Sequence, residues 1–149
     1  YLPSELNAAY LWAQLQHADE INENRLATWR AYYAAFEPLA EKGLVTLPTI
    51  PEGCEHNAHM FYIKLADLEV RTAFISFMKE CGIGCVFHYV PLHSAPAGER
   101  FGRFDGMDEH TTADSDRLVR LPMYYGMSLE DFEYVVSCAK AFFGERAGM

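Results

Sequence analysis

Residues 6–15 read LNAAYLWAQL, and only Asn7 and Gln14 in that run are polar. Seven positions apart, those two fall on one side of a helix, and every other face is apolar. Such a helix must be covered almost all round. A chain of 149 residues can rarely enclose a helix at its own end so completely. The pattern therefore predicts that a further domain or subunit packs on it; the alternative is that it forms the centre of a small domain unaided. The run falls short of the roughly 18–20 apolar residues that cross a bilayer, and no other stretch reaches that length. Ser4 is placed to cap the helix, with Pro3 just outside. The chain opens on Tyr1-Leu2-Pro3, with neither an initiating Met nor a secretory signal pattern, which reads as a piece of something longer.

Further along, Leu26, Trp29, Tyr33, Phe36 and Ala40 recur at spacings of three and four, widened by Tyr32 and Leu39, and predict a core-facing helix ended by Gly43. Asp19 and Asn22 fall on the same stripe, so a bend or a wet gap is expected near residues 18–23. Residues 45–47 and 59–65 read as strands, the second placing His59, Phe61, Ile63 and Leu65 on one face. Asp67 caps a helix carrying Val70, Phe74, Phe77 and Cys81, stopped by Gly82. Residues 84–90 (GCVFHYV) read as the next strand, 91–110 as a long loop, and Thr111 or Thr112 as the start of a short helix to about Val119. Ser128 opens the last helix, which turns Phe132, Val135, Val136, Ala139, Phe142 and Phe143 inward and ends at Gly144. This order predicts an α+β fold, a small and mainly antiparallel sheet covered by helices.

Charge and cysteines narrow the function. Twelve Lys and Arg stand against 21 Asp and Glu, a formal net charge of −9. A surface that acidic repels phosphate backbones and anionic lipid, which argues against nucleic acid or a membrane as partner. Cys54, Cys81, Cys85 and Cys138 show no CxxC spacing and are too sparse for a secreted scaffold, so free thiols in a reducing cytoplasm are expected. The densest polar-aromatic cluster is His88-Tyr89-Val90-Pro91-Leu92-His93, where a strand runs into a loop and Pro91 stiffens the exit. His88 and His93 there can serve hydroxyl- or phosphate-bearing ligands, or be a sheet histidine and a surface histidine with no ligand. A metal centre is the rival reading for Cys54, His56, His59, His88 and His93, but His56-x-x-His59 is the only near pair and straddles a loop and a strand, so no metal is expected. Neither GxSxG, GxGxxG nor GxxxxGK[ST] occurs.

Four segments resemble, in order, the small domain of DegT/DnrJ-type sugar aminotransferases: SELNAAYLWAQL, AHMFYIKL, GIGCVFHYVPLHSAPAGERFG and RLVRLPMYYGMSLEDFEYVV. The resemblance spans nearly the whole chain. It implies the C-terminal small domain of a fold-type I enzyme that uses pyridoxal phosphate to move an amino group from glutamate to the keto carbon of a nucleotide sugar. Such enzymes carry the cofactor on a lysine in a large domain, and they work as homodimers or larger assemblies. None of Lys42, Lys64, Lys79 and Lys140 matches that lysine segment, so the resemblance implies an N-terminal large domain outside this chain and a chain inactive by itself. It assigns His88, Tyr89 and His93 to the sugar-nucleotide side of the cleft, and Tyr1 to the neighbourhood of the cofactor phosphate in an adjoining subunit. Two rivals stand beside it: a non-catalytic sugar-nucleotide-binding or regulatory module that kept this domain, and an independent small enzyme using a histidine base from residues 88–93.

Overall fold

Ser4 lies in extended backbone, and its hydroxyl accepts the N–H of Asn7 at 3.2 Å, which starts helix α1, Glu5–Leu15. That contact is among the first in a computed structural model that describes residues 2–146. No residue of α1 is buried. Leu6 is 79% exposed and Trp12 66%, and Tyr10, Leu11 and Leu15 stand open beside them. The apolar run is thus a helix whose greasy surface stays largely open among the described residues. A turn at Gln16 and His17 separates it from α2, Ala18–Glu41, so the bend expected near residues 18–23 falls ahead of them and those residues are helical.

In α2 the stripe faces the core as predicted: Trp29, Tyr32, Phe36 and Leu39 are buried, with Leu26, Tyr33 and Ala40 half-covered against them. The chain leaves the helix through Gly43, at φ 73°, a left-handed conformation that suits glycine. Strand β1, Phe61–Lys64, pairs antiparallel with β2, Leu118–Leu121, in the register Phe61 to Leu121 and Ile63 to Val119. Those four side chains, with Leu65, are buried against the helices. Helix α3, Leu68–Glu80, begins at Asp67, whose carboxylate accepts the N–H of Val70 at 2.8 Å. Asp67→Ala is expected to cost about 1 kcal/mol, the usual worth of such a cap, read as a lower urea midpoint at unchanged slope. A 3₁₀ turn at Leu92–Ser94, α4 at Pro96–Phe101, α5 at Thr111–Arg117 and α6 at Leu129–Arg146 complete the order.

The core is one hydrophobic cluster built around two groups of rings. Phe61 stacks on Tyr32 at 5.1 Å and meets Trp29 and Phe36 from α2, while Phe74 of α3 packs on Phe142 and Phe143 of α6. The Tyr32 hydroxyl, drawn into this cluster, donates to the carbonyl of Pro122 at 2.8 Å, so burial leaves its polar end satisfied. Burial also raises its ionisation well above the usual phenol value.

The α+β fold holds, a two-stranded antiparallel sheet covered by helices, and several elements differ from the sequence reading. Residues 45–47 meet the sheet through one bridge, Thr46 to Lys64, because Pro48 has no N–H with which to extend a ladder. Residues 84–90 likewise touch it only at Val86, opposite Arg120. The helix expected to run to about Val119 ends sooner: α5 stops at Arg117, Leu118 is already extended, at ψ 130°, and Leu118–Leu121 form β2. His59, expected on the core face, is exposed, because Ala58 adopts φ 50° and turns the chain before β1 begins. The supposed loop 91–110 holds a 3₁₀ turn and α4, which has Pro96 at its first position. Gly144 does not stop α6, which continues to Arg146. No helix among the described residues is long and apolar enough to cross a membrane.

Candidate functional site

After α3 the chain turns at Gly82 (φ 77°), buries Ile83 and Cys85, and bridges to the sheet at Val86. Burial pushes the Cys85 thiol up to about 12, so it stays protonated and inert. Two residues beyond Val86, His88 and Tyr89 reach a cavity of about 360 Å³ whose opposite wall is Thr111, Asp114 and Ser115 of α5 with Leu118 of β2. Three contacts fix that wall. Ser115 donates its hydroxyl to the carbonyl of Tyr89 at 2.6 Å; Arg71 of α3 donates to the carbonyl of Ser115 at 2.8 Å; and Lys64 holds Asp114 at 2.9 Å. The Arg71 guanidinium also lies over the Phe87 ring, 5.2 Å from its centre.

Within this frame His88 is half-buried, its ring edge-on to that of Tyr89 at 4.5 Å, and its Nδ1 is sealed from solvent with no hydrogen-bond partner. A buried ring nitrogen without a partner is costly, so a ligand group that completes it gains what the protein leaves unmade. Tyr89 is 70% exposed at the mouth.

His93 belongs to a different arrangement and does not line this cavity. Its Nε2 lies 2.8 Å from Asp108 Oδ2, and its ring packs on Phe104 at 4.5 Å. The Thr112 hydroxyl donates to the same carboxylate, and the Thr112 N–H reaches Oδ1 at 3.3 Å. Foremost through the Thr112 hydroxyl, and then through the Thr112 N–H and His93, the Asp108 carboxyl is held below its usual range. A carboxylate only accepts, so a neutral His93 carries its proton on Nε2 and presents Nδ1 as a lone pair. Because the folded value is lowered, the stabilisation from Asp108 is complete above the ordinary carboxyl value of about 3.9 and fades as the pH falls through the lowered one. Asp108→Asn should therefore unfold at a lower urea midpoint than the parent at pH 7, with the two converging in acid; parallel curves from pH 7 to 3 would refute the role.

The structure thus brings together His88 and Tyr89, sets His93 in a network of its own, and leaves Tyr1 outside the described residues. Sequence reasoning missed Thr111, Asp114, Ser115, Leu118 and Asp108. Their local signal was a helix start and an aperiodic loop, neither of which says what stands opposite. Tight packing reinforces this corner: a Cβ at Gly98 would fall 1.6 Å from the carbonyl oxygen of Leu92, so α4 lies on the 3₁₀ turn only because residue 98 has no side chain. Among the described residues no three His, Cys, Asp or Glu side chains converge as metal ligands would.

This arrangement of a short antiparallel sheet covered by helices recurs as part of solved aminotransferases. TlmJ, an aminotransferase of Streptoalloteichus hindustanus, superposes with a TM-score of 0.77 at 20% identity, over 91% of this chain and 35% of that one. Helicobacter pylori PseC, an aminotransferase involved in the biosynthesis of pseudoaminic acid, gives 0.75 at 16% identity, over 90% and 36%. DesV of S. venezuelae, solved in complex with a ketimine intermediate, gives 0.74 at 22% identity, over 91% and 35%. The model of the DegT/DnrJ/EryC1/StrS aminotransferase family matches residues 3–140, and the chain belongs to that family. An uncharacterized protein of Methanocaldococcus jannaschii is 30% identical over 149 residues, and the chain spans 38% of its length.

The cavity residues do not by themselves fit pyridoxal phosphate. No lysine lines the cavity. Lys64 is engaged by Asp114, Lys42 caps the C-terminal end of α2, Lys79 sits in the last turn of α3, and Lys140 is exposed on α6.

Proposed function

We propose that this chain is the C-terminal small domain of a pyridoxal-phosphate-dependent sugar aminotransferase, forming one wall of a cleft whose cofactor-holding part lies in an N-terminal large domain. The observation that carries the reading is the partnerless, buried Nδ1 of His88 at the mouth formed with Tyr89, within a chain of this family. His88 and Tyr89 meet the sugar nucleotide directly, and His93 reaches it from outside this cavity, where Asp108 holds its ring. Tyr1 lies toward the cofactor phosphate of a neighbouring subunit in a homodimer or larger homo-oligomer. The finer assignment follows from PSELNAAYLWAQL, NAHMFYIKL and FHYVPLH, which resemble the dTDP-4-amino-4,6-dideoxygalactose transaminase of enterobacterial common antigen synthesis. That enzyme is similar enough in these segments to suggest transfer of an amino group from glutamate to dTDP-4-keto-6-deoxy-D-glucose, in the cytoplasm.

The cofactor supplies the electron sink for such a transfer when bound. This chain contributes shape and hydrogen bonds: an acceptor or donor at His88, a hydroxyl at Tyr89, and an apolar wall at Leu92 and Leu118 that keeps water out. The test is to incubate the chain with pyridoxal phosphate, reduce with borohydride and map pyridoxyl-lysine by mass spectrometry. The expected outcome is scattered, substoichiometric labelling. A stoichiometric adduct at one of Lys42, Lys64, Lys79 or Lys140, abolished by replacing that lysine, would overturn the division of labour between domains.

A further inference from the structure

Helices α3 and α6 pass each other in opposite directions, and their contacts step along in register. Phe74 of α3 packs on Phe143 at 5.9 Å and on Phe142 at 5.2 Å, and Phe77, a turn further on, still meets Phe142 at 5.6 Å. At the end of α3 the carbonyl of Cys81 accepts the hydroxyl of Tyr134 at 3.0 Å. As residue numbers rise along α3, those of the partners on α6 fall. One turn past Phe77 is Cys81, and one turn before Phe142 is Cys138. The register therefore sets these two thiols against each other across the helix pair, each half-buried and packed on the core.

Tyr134 reports on both sulfurs. While its hydroxyl donates to the Cys81 carbonyl, the same oxygen is hydrogen-bonded to the thiol of Cys138, four residues along α6. Foremost through the Cys138 thiol, then through burial and through Cys81, the ionisation of Tyr134 is raised above the usual phenol value. The backbone can also adjust here. Cys81 caps the C-terminal end of α3, at φ −76° and ψ 3°, and Gly82 follows at φ 77°. The other two cysteines are placed differently: Cys85 is buried and stays protonated, and Cys54 stands exposed in the turn after Pro51.

We propose that Cys81 and Cys138 form an oxidative modification site, at which a hydroperoxide joins them in a disulfide tying α3 to α6 and a dithiol reductant opens it again. One thiol gives its proton to water and its sulfur attacks a peroxide oxygen; the O–O bond breaks, leaving a sulfenic acid and hydroxide. The second thiol loses its proton and attacks that sulfur; the S–S bond forms, the S–O bond breaks and hydroxide leaves. The two protons and two hydroxides make two waters, and the peroxide takes up the two electrons that the thiols lose. The link fixes the end of α3 just before the Gly82 turn, from which the segment carrying His88 departs. It goes beyond the aminotransferase reading and does not depend on it.

The test exposes the reduced protein to a series of hydrogen peroxide concentrations, blocks remaining thiols with iodoacetamide, digests without reduction and maps the linked peptides by mass spectrometry. A Cys81–Cys138 peptide pair is expected, about tenfold or more above any other pairing in the folded protein, because the fold holds the two sulfurs at a high effective concentration. In urea the pairings should spread among the cysteines. Dithiothreitol should return both thiols, Cys138→Ser and Cys81→Ser should each remove the pair, and Cys54→Ser should leave it unchanged. Oxidation of Cys81 or Cys138 to sulfinic acid without the link, another pairing in greater yield, or the same preference in urea overturns the site. So does a link found only between two copies of the chain, seen as a dimer on a non-reducing gel. The parent protein alone decides these outcomes should a serine variant fail to fold.

Discussion

Phe61→Ala is expected to remove about 3–5 kcal/mol of stability, the usual loss on truncating a buried aromatic. Phe61 is 0% exposed, and its ring is the point where the sheet meets α2, touching Tyr32, Trp29 and Phe36 together. The loss combines the transfer of the ring, the cavity left behind, and aromatic pairs worth about 0.5–1.5 kcal/mol each beyond their area. Domains are stable by roughly 5–15 kcal/mol in total, so the variant should sit close to its unfolding threshold and melt about 10 °C or more below the parent. Urea denaturation followed by circular dichroism gives the number. A loss under about 1 kcal/mol would mean that neighbouring rings close the gap and that the cluster is far more plastic than its packing suggests.

A second large effect concerns α1. Introducing Leu11→Glu and Trp12→Glu together should leave the stability of the chain within about 0.5 kcal/mol, because neither side chain touches the core. The same pair should weaken any association through this helix by roughly 30-fold or more, since a central Trp in an apolar contact commonly carries 2 kcal/mol or above. Sedimentation velocity across a concentration series reads the association, and urea unfolding reads the stability. A stability loss above about 2 kcal/mol, the range of a core residue, would show that α1 lies on its own core in solution. An unchanged association profile would show that another face does the sticking.

Where a residue's environment was decided by its neighbours in sequence, the chain was readable. The α2 stripe, the Asp67 cap and the inward face of α6 follow from period and capping alone, and α1 announced its need for a cover through its composition. Misreadings gathered where long-range pairing decides. Four residues, Leu118–Leu121, are too few to establish a period, and they become a strand because Phe61–Lys64 lies opposite them. Conversely, residues 84–90 have strand composition but find a partner only at Val86. The site was half legible for the same reason. His88 and Tyr89 declared themselves as a cluster of working side chains. Asp114, Ser115 and Leu118, 26 and more residues along the chain from His88, could be placed opposite them only by the fold. His93 looked like one member of that cluster, yet Asp108 and Thr112 draw it into a network of its own.

The single bridge at Val86 has a kinetic meaning. Two backbone hydrogen bonds, of 3.3 and 2.8 Å, fasten the segment that leads to His88, and both end on Arg120. Breaking them exposes no part of the aromatic cluster, so the amide of Val86 should trade its proton for deuterium long before that of Ile63, which is locked in the β1–β2 ladder. The Ser115 bond to the Tyr89 carbonyl then remains as a separate tie on the mouth, and opening at Val86 leaves the β1–β2 ladder intact.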